Sequence, residues 1–291
     1  MIKDVKKPSR GVKDKGPKAE REKRTTSKAQ WCALVFKVVL LLVWVASSVI
    51  VAQLVVGYLM LWMLGRETFV QTVPTAIYSA LSYILALAWI LFITPKIVAR
   101  LKIANEHTKK EHRTNGKIVP ETMSREDLGL KGLPTWTDVG LAPVGFVVAT
   151  LLAFGLVAIF KNFAWFDAEQ AQEVGFSVYT VGFERLVAFV ILVLVAPVAE
   201  ELIFRGWLYG KLRPMLSEKM SDTTSMIISI FLVSLLFGAI HMQWNVGVNV
   251  FALSVVLCGL REITGTIYSG IVVHMIKNGL AFWLLYVVGI R

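Results

Sequence analysis

The 291-residue chain is 56% apolar and only 18% charged, with a formal net charge of +11 and a mean hydropathy of +0.63. Soluble domains run at about 45–50% apolar and about 25% charged residues. A soluble globular domain, a disordered chain and a collagen-like chain are therefore excluded, and a membrane protein is the expected class.

Residues 1–30 hold 11 Lys/Arg against four Asp/Glu. With several Pro and Gly and few large apolar side chains, they are expected to form a disordered basic cytoplasmic tail lying near anionic lipid. Such a solvated tail is expected in preference to a nucleic-acid-binding arm. Two uncharged runs follow, Val38 to Leu64 (27 residues) and Gln71 to Pro95 (25 residues). Each exceeds the roughly 20 residues that a membrane-crossing helix needs. The first is too long for a signal-peptide core and reads as an uncleaved anchor. Residues 31–95 thus form an N-terminal pair of spans, and 96–138 a basic cytoplasmic loop that contains His107 and His112.

Residues 139–290 carry the remaining runs. Val139 to Phe160 gives a third span. The next runs are Leu186 to Ala199 ending at Glu200 and Glu201, Thr223 to Ile240 ending at His241, Met242 to Leu260 containing Asn245 and Asn249, and Ile263 to Ile290 interrupted by His274, Lys277 and Asn278. The predicted architecture is an all-α polytopic membrane bundle of seven transmembrane helices, or eight if a later segment is split. With the N-terminus inside, inner segments hold 24 Lys/Arg and outer positions four, so a cytoplasmic N-terminus is predicted. Cys32 and Cys258 lie in apolar stretches and suggest small packed side chains, with no disulfide or Cys-based zinc site.

Ionisable groups inside a span cost at least about 2.5–3.5 kcal/mol each for Asp or a basic residue, which makes them functional candidates. Here they cluster. Glu201 and Arg205 are i and i+4 and can pair on one helix face. Glu200 is turned about 100° away and stays free for another role. His274 and Asn278 are again i and i+4, as are Phe237 and His241. A lone Asn in a span more often joins helices by a hydrogen bond. Two Glu, two His, an Arg and an Asn together outweigh that reading. Lys277 either lines the same interior or extends its ammonium to the interface.

A carboxylate beside an imidazole in a partly desolvated pocket suits the holding and deprotonation of water. A second imidazole and an amide donor can stabilise the oxyanion of a peptide carbonyl under attack. No H-E-x-x-H, G-x-S-x-G or Walker A sequence is present. Glu200, His241 and His274 would also suffice as a three-ligand zinc site, so spacing alone leaves zinc open. A proton-coupled transporter would keep such residues too, but should show repeat symmetry between its halves, and none is evident. A non-catalytic scaffold is the other alternative.

Three segments carry a resemblance. Ala199-Glu200-Glu201-Leu202-Ile203-Phe204-Arg205-Gly206 resembles an EExxxR motif, Phe237-Gly238-Ala239-Ile240-His241 an FxxxH motif, and His274-Met275-Ile276-Lys277-Asn278 an HxxxN motif. In that order they are similar to the signatures of the CPBP family, the CAAX proteases and bacteriocin-processing enzymes also called Abi. The small-residue turn Thr264-Gly265-Thr266-Ile267 is similar as well, and the resemblance covers about Leu128 to Gly289. It implies an intramembrane endopeptidase of a bacterial cell membrane acting on a membrane-bound protein or peptide. It further implies that Glu200 and His241 hold the attacking water, that His274 and Asn278 form the oxyanion site, and that Glu201 and Arg205 support it. No cofactor is implied, although the family was long labelled metalloprotease. Lys277 departs from the expected pattern. Bacteriocin self-immunity is the family-level alternative function.

Simple alternation of spans creates a conflict. A fourth helix starting near Glu184 at the outer face puts Glu200 about 24 Å along it, while a fifth starting near Thr223 inside puts His241 about 27 Å along. The two would lie roughly 20 Å apart in depth. Either the fourth helix runs on through Lys211 with Glu200 at its middle, which with a funnel open to one side is the expected arrangement, or a helix is tilted, broken near Pro197 or re-entrant.

Overall fold

The computed structural model describes residues 17–100, 123–170, 176 and 181–289, with side chains from residue 28 onward. His107 and His112 lie outside the described residues, as do residues 1–16. Seven helices are long and apolar enough to cross a membrane: α1 (Pro17–Leu64), α2 (Thr72–Arg100), α3 (Trp136–Phe160), α4 (Gly182–Ser217), α5 (Asp222–Ala239), α6 (Trp244–Thr264) and α7 (Tyr268–Val288). No strand occurs among the described residues. The protein is therefore an integral, multi-pass helical bundle, the one open architecture that satisfies every backbone group without water.

Two compact units are distinguished, Met1–Leu40 and Leu41–Arg291. In the first, residues 17–30, expected to belong to a disordered tail, are helical instead. Their Ala, Glu, Lys, Arg and Gln are strong helix formers, and the adjoining span supplies the nucleus that a short helix lacks. Cys32 is exposed here, not packed as expected.

The second unit holds the rest of α1 and all of α2–α7. One apolar cluster joins α2, α4 and α7 through Ala76, Ala188, Ile191, Val193, Phe282 and Tyr286. Another joins α3, α6 and α7 through Ala142, Ala149, Leu253, Leu257, Leu260 and Val273. The outward faces remain apolar, as at Trp62, Phe154 and Phe231, which suits contact with lipid. Asn245 serves as a connector, donating to the Gln170 carbonyl at 2.6 Å, while Asn249 donates within its own helix to the Asn245 carbonyl at 2.8 Å.

α5 and α6 approach closely at two glycines. A Cβ on Gly238 would stand 2.7 Å from the Gly247 carbonyl oxygen, and one on Gly247 would stand 3.0 Å from that of Gly238. Backbone on both sides leaves no flexible atom to move aside, which is how small residues bring membrane helices together. Gly238→Ala is expected to destabilise the fold by about 1–3 kcal/mol, read as a lower melting temperature in detergent. A melting temperature equal to wild type would mean that this approach is not a tight one.

Arg261 and Glu262, expected to form the loop between the last two spans, instead lie in the final turns of α6. The chain turns at Gly265, whose φ of 71° is left-handed and suits glycine. The charges are helical because each has a partner. Arg261 donates to the carbonyls of Gly265 and Asp127, and Glu262 accepts from Tyr209 and Arg213. Part of the expected 96–138 loop is likewise built into this end of the bundle. Residues 123–132 pack beside Gly206 and Gly210 of α4, and Ile267 N–H donates to the Gly129 carbonyl at 3.0 Å. Asp138 completes a capping box with Thr135 and also accepts from Thr266 and Ser269, tying the start of α3 to the α6–α7 turn.

Candidate functional site

α4 runs for 36 residues with Glu200 near its midpoint, so the long fourth helix expected from the depth conflict is what forms. It is not uniform. An α-helical turn, Ala196–Glu201, lies between two wider π-helical stretches, Val190–Val195 and Leu202–Leu208. Such wide turns occur frequently at functional sites. The second stretch carries Arg205 and follows the two glutamates directly.

Pro197 gives the first wide turn a consequence. Ala196 N–H bonds the Ile191 carbonyl, five residues back. The next donor in that register would be residue 197, which as proline has no N–H, so the Leu192 carbonyl loses its partner. Asn278 of α7 supplies it: its Nδ2 donates to the Leu192 oxygen at 2.9 Å. One of its two amide hydrogens is thus committed to the backbone, and the other remains. Asn278→Ala is expected to cost about 1–2 kcal/mol by leaving that carbonyl bare. In a Pro197→Ala background, where a backbone N–H returns, the cost is expected to shrink. A double-mutant cycle with no coupling would contradict this role.

Glu201 and Arg205 pair as expected, Oε1 to Nη1 at 2.9 Å, with both side chains 0% exposed. The guanidinium also stands over the Phe237 ring, 4.4 Å from its centroid, joining the first and second motifs. Glu201 packs against Gly270, where a Cβ would lie 3.0 Å from Oε2. His274 is buried between the two glutamates: Nδ1 meets Glu201 Oε1 at 3.1 Å, and Nε2 faces Glu200 Oε2 at 3.6 Å. The carboxylate can only accept, so Nδ1 donates to Glu201.

His241 lies in the turn after α5. Its Nδ1 is 2.7 Å from the Phe237 carbonyl oxygen, which can only accept. The proton therefore sits on Nδ1, and Nε2 keeps the lone pair of the neutral ring. Glu200, Lys277 and His274 are the neighbours whose charges act on it. Lys277 is half-buried and lines, with Asn278, Phe282 and Tyr286, a cavity of about 70 Å³ between α4 and α7.

Glu200 has a partner that no motif contains. Tyr83 of α2 donates its phenolic hydrogen to Glu200 Oε1 at 2.5 Å. A tyrosine in an apolar span is unremarkable by sequence, and nothing in spacing connects residues 83 and 200. The structure thus joins Tyr83, Glu200, His274, Glu201 and Arg205 into one chain of polar contacts, with His241 in electrostatic range. Asn278, one turn beyond His274 on α7, bonds the Leu192 carbonyl instead. Among the described residues, no three or more His, Cys, Asp or Glu side chains converge as a metal set. In both imidazoles Nδ1 bonds a protein oxygen and Nε2 is the nitrogen left for a further partner, an arrangement common to metal-ligating and metal-free histidines.

No curated protein and no solved structure matches the chain. One family model does, described as type II CAAX prenyl endopeptidase Rce1-like, over residues 182–280. That stretch is about a third of the chain and contains all three motifs. The resemblance read from them points to the same group: over residues 182–280, from α4 into α7, the chain is similar to the Rce1-like type II CAAX prenyl endopeptidases.

Proposed function

We propose that the protein is an intramembrane endopeptidase in which Glu200 and His241 activate a water molecule against a peptide bond of a membrane-associated protein or peptide, without a metal. The observation that carries this reading is the setting of Glu200, a carboxylate mid-span between Tyr83 and His274 with its remaining lone pairs unspent. Nε2 of His241 is the complementary acceptor for the same water. Glu200 takes the water proton as hydroxide adds to the carbonyl carbon. Charge then develops on the carbonyl oxygen, where the Nε2–H of His274 in its imidazolium form and the second amide hydrogen of Asn278 are the proposed donors. As the C–N bond breaks, the leaving amine receives the proton held by Glu200. Glu201 and Arg205 keep His274 in place.

The Lys/Arg bias of the connecting segments supports a cytoplasmic N-terminus, with the basic tail beside anionic lipid. Self-immunity or scaffolding needs no water-activating pair, and nothing in the site favours either.

The catalytic type is tested on purified protein in detergent, with a panel of quenched membrane-anchored peptides, before and after chelation and after zinc addition. Cleavage is expected to persist in chelator at the untreated rate. Activity lost in chelator and restored by zinc would overturn the metal-free mechanism.

A further inference from the structure

Resting on the peptidase reading of Glu200, we infer that Tyr83 is a positioning residue of the site: its phenol fixes the Glu200 carboxylate in the orientation that faces His274. The second span, α2, thereby completes a centre whose motifs all lie in α4–α7. Tyr83 lies far outside residues 182–280, the stretch that matches the family model, so the family motifs do not account for it.

The two oxygens of Glu200 have different neighbours. Oε1 accepts from Tyr83 on α2 at 2.5 Å, and Oε2 faces His274 on α7 at 3.6 Å. A glutamate has three side-chain torsions, and on a helix beside a wide π-helical turn it has several orientations to choose from. Tethering Oε1 restricts that freedom before substrate arrives and leaves Oε2 for the water, which is the advantage of preorganisation. The phenol is suited to the task because it donates without bringing a full charge, leaving the carboxylate available as a base. His274, Lys277 and His241 supply the cationic or titratable neighbours, and Glu201 and Arg205 lie on the same helix as Glu200.

α2 is registered against α4 at further levels. Thr72 Oγ1 donates to Glu184 Oε2 at 3.3 Å near one end, and Ala76 packs in the cluster that contains Ala188 and Ile191. The tyrosine is therefore delivered by a packed helix pair and not by a loose side chain. Phenylalanine would fill the same space. The hydroxyl adds only a donor, and in an apolar bundle a donor without an acceptor is costly.

The test uses the full chain in detergent as wild type, Tyr83→Phe and Glu200→Gln, with kcat and KM measured on a cleaved peptide. The tyrosine C–O stretch is followed in isotope-labelled protein. Tyr83→Phe is expected to lower kcat about ten- to a hundredfold, the scale of one hydrogen bond to a charged group, with KM changed by less than about twofold. The tyrosine band that disappears in Tyr83→Phe is expected to shift in Glu200→Gln, because an amide oxygen accepts more weakly than a carboxylate. Fluorotyrosine at position 83 keeps the ring and the donor, and is expected to hold kcat within about threefold of wild type. An unchanged kcat, a rise in KM alone, an unshifted band, or equal loss with phenylalanine and fluorotyrosine would each overturn the proposal. Glu200→Gln cleaving at the wild-type rate would instead overturn the peptidase reading and the role it gives Tyr83. The band shift would still report whether the contact itself exists.

Discussion

Glu200→Gln is expected to lower kcat for peptide cleavage by about a hundred- to ten-thousandfold, the range that general-base catalysis contributes. The substitution is nearly isosteric. Its amide oxygen still accepts the hydrogen bond of Tyr83, and its NH2 can approach the imidazole of His274, so the local frame persists. What it cannot do is take a proton from water. Folding, membrane insertion and the melting temperature are therefore expected to stay close to wild type, and KM to change little. A variant that lost activity together with its folded state would point to Glu200 as structural glue. The polar residue at the matching depth of a scaffold would tolerate the change altogether.

Arg205→Leu is expected to have the largest effect on stability, about 3–5 kcal/mol, because it leaves Glu201 as a buried carboxylate without its cation. Both members of the pair are 0% exposed, so water cannot replace the lost partner. The contact of Arg205 with the Phe237 ring is a smaller contribution, about 0.5–2 kcal/mol for a cation over an aromatic face. Loss of the counter-charge therefore decides the outcome. His274, the other partner of Glu201, is expected to be drawn toward it and away from Glu200, so residual folded protein should also be poorly active. Replacing both members with apolar residues, Glu201→Leu with Arg205→Met, removes the uncompensated charge and is expected to recover much of the stability. Thermal melts and the monodisperse fraction in detergent measure both effects. A single Arg205→Leu variant that melts like wild type would show that the pair holds nothing together.

The spans were legible because membrane insertion sums hydropathy along the chain, and seven long apolar runs survive that sum. Glu200, Glu201, Arg205, His241, His274 and Asn278 were legible for the converse reason, since polar groups are costly in hydrocarbon. Where helices end was less legible. Arg261 and Glu262 look like a loop until Asp127, Gly265, Tyr209 and Arg213 are seen to satisfy them. Residues 17–30 read as a solvated tail by composition, yet their helix formers adjoin a helix that is already nucleated. The wide turns of α4 leave no periodic trace, so the pairing of Asn278 with the carbonyl freed by Pro197 emerges only from the backbone register. Tyr83 marks the same limit. It is separated from Glu200 by 117 residues, and only tertiary packing makes it a neighbour.

The central claim is that the polar group in α4–α7 hydrolyses peptide bonds through Glu200. The most direct measurement is mass-spectrometric identification of the new amino and carboxyl termini released from one membrane-anchored peptide by wild type and by Glu200→Gln at matched concentration. The expected result is cleavage at one fixed bond by wild type and none above background by the variant over the same time. Identical termini released at equal rates by both proteins would contradict it.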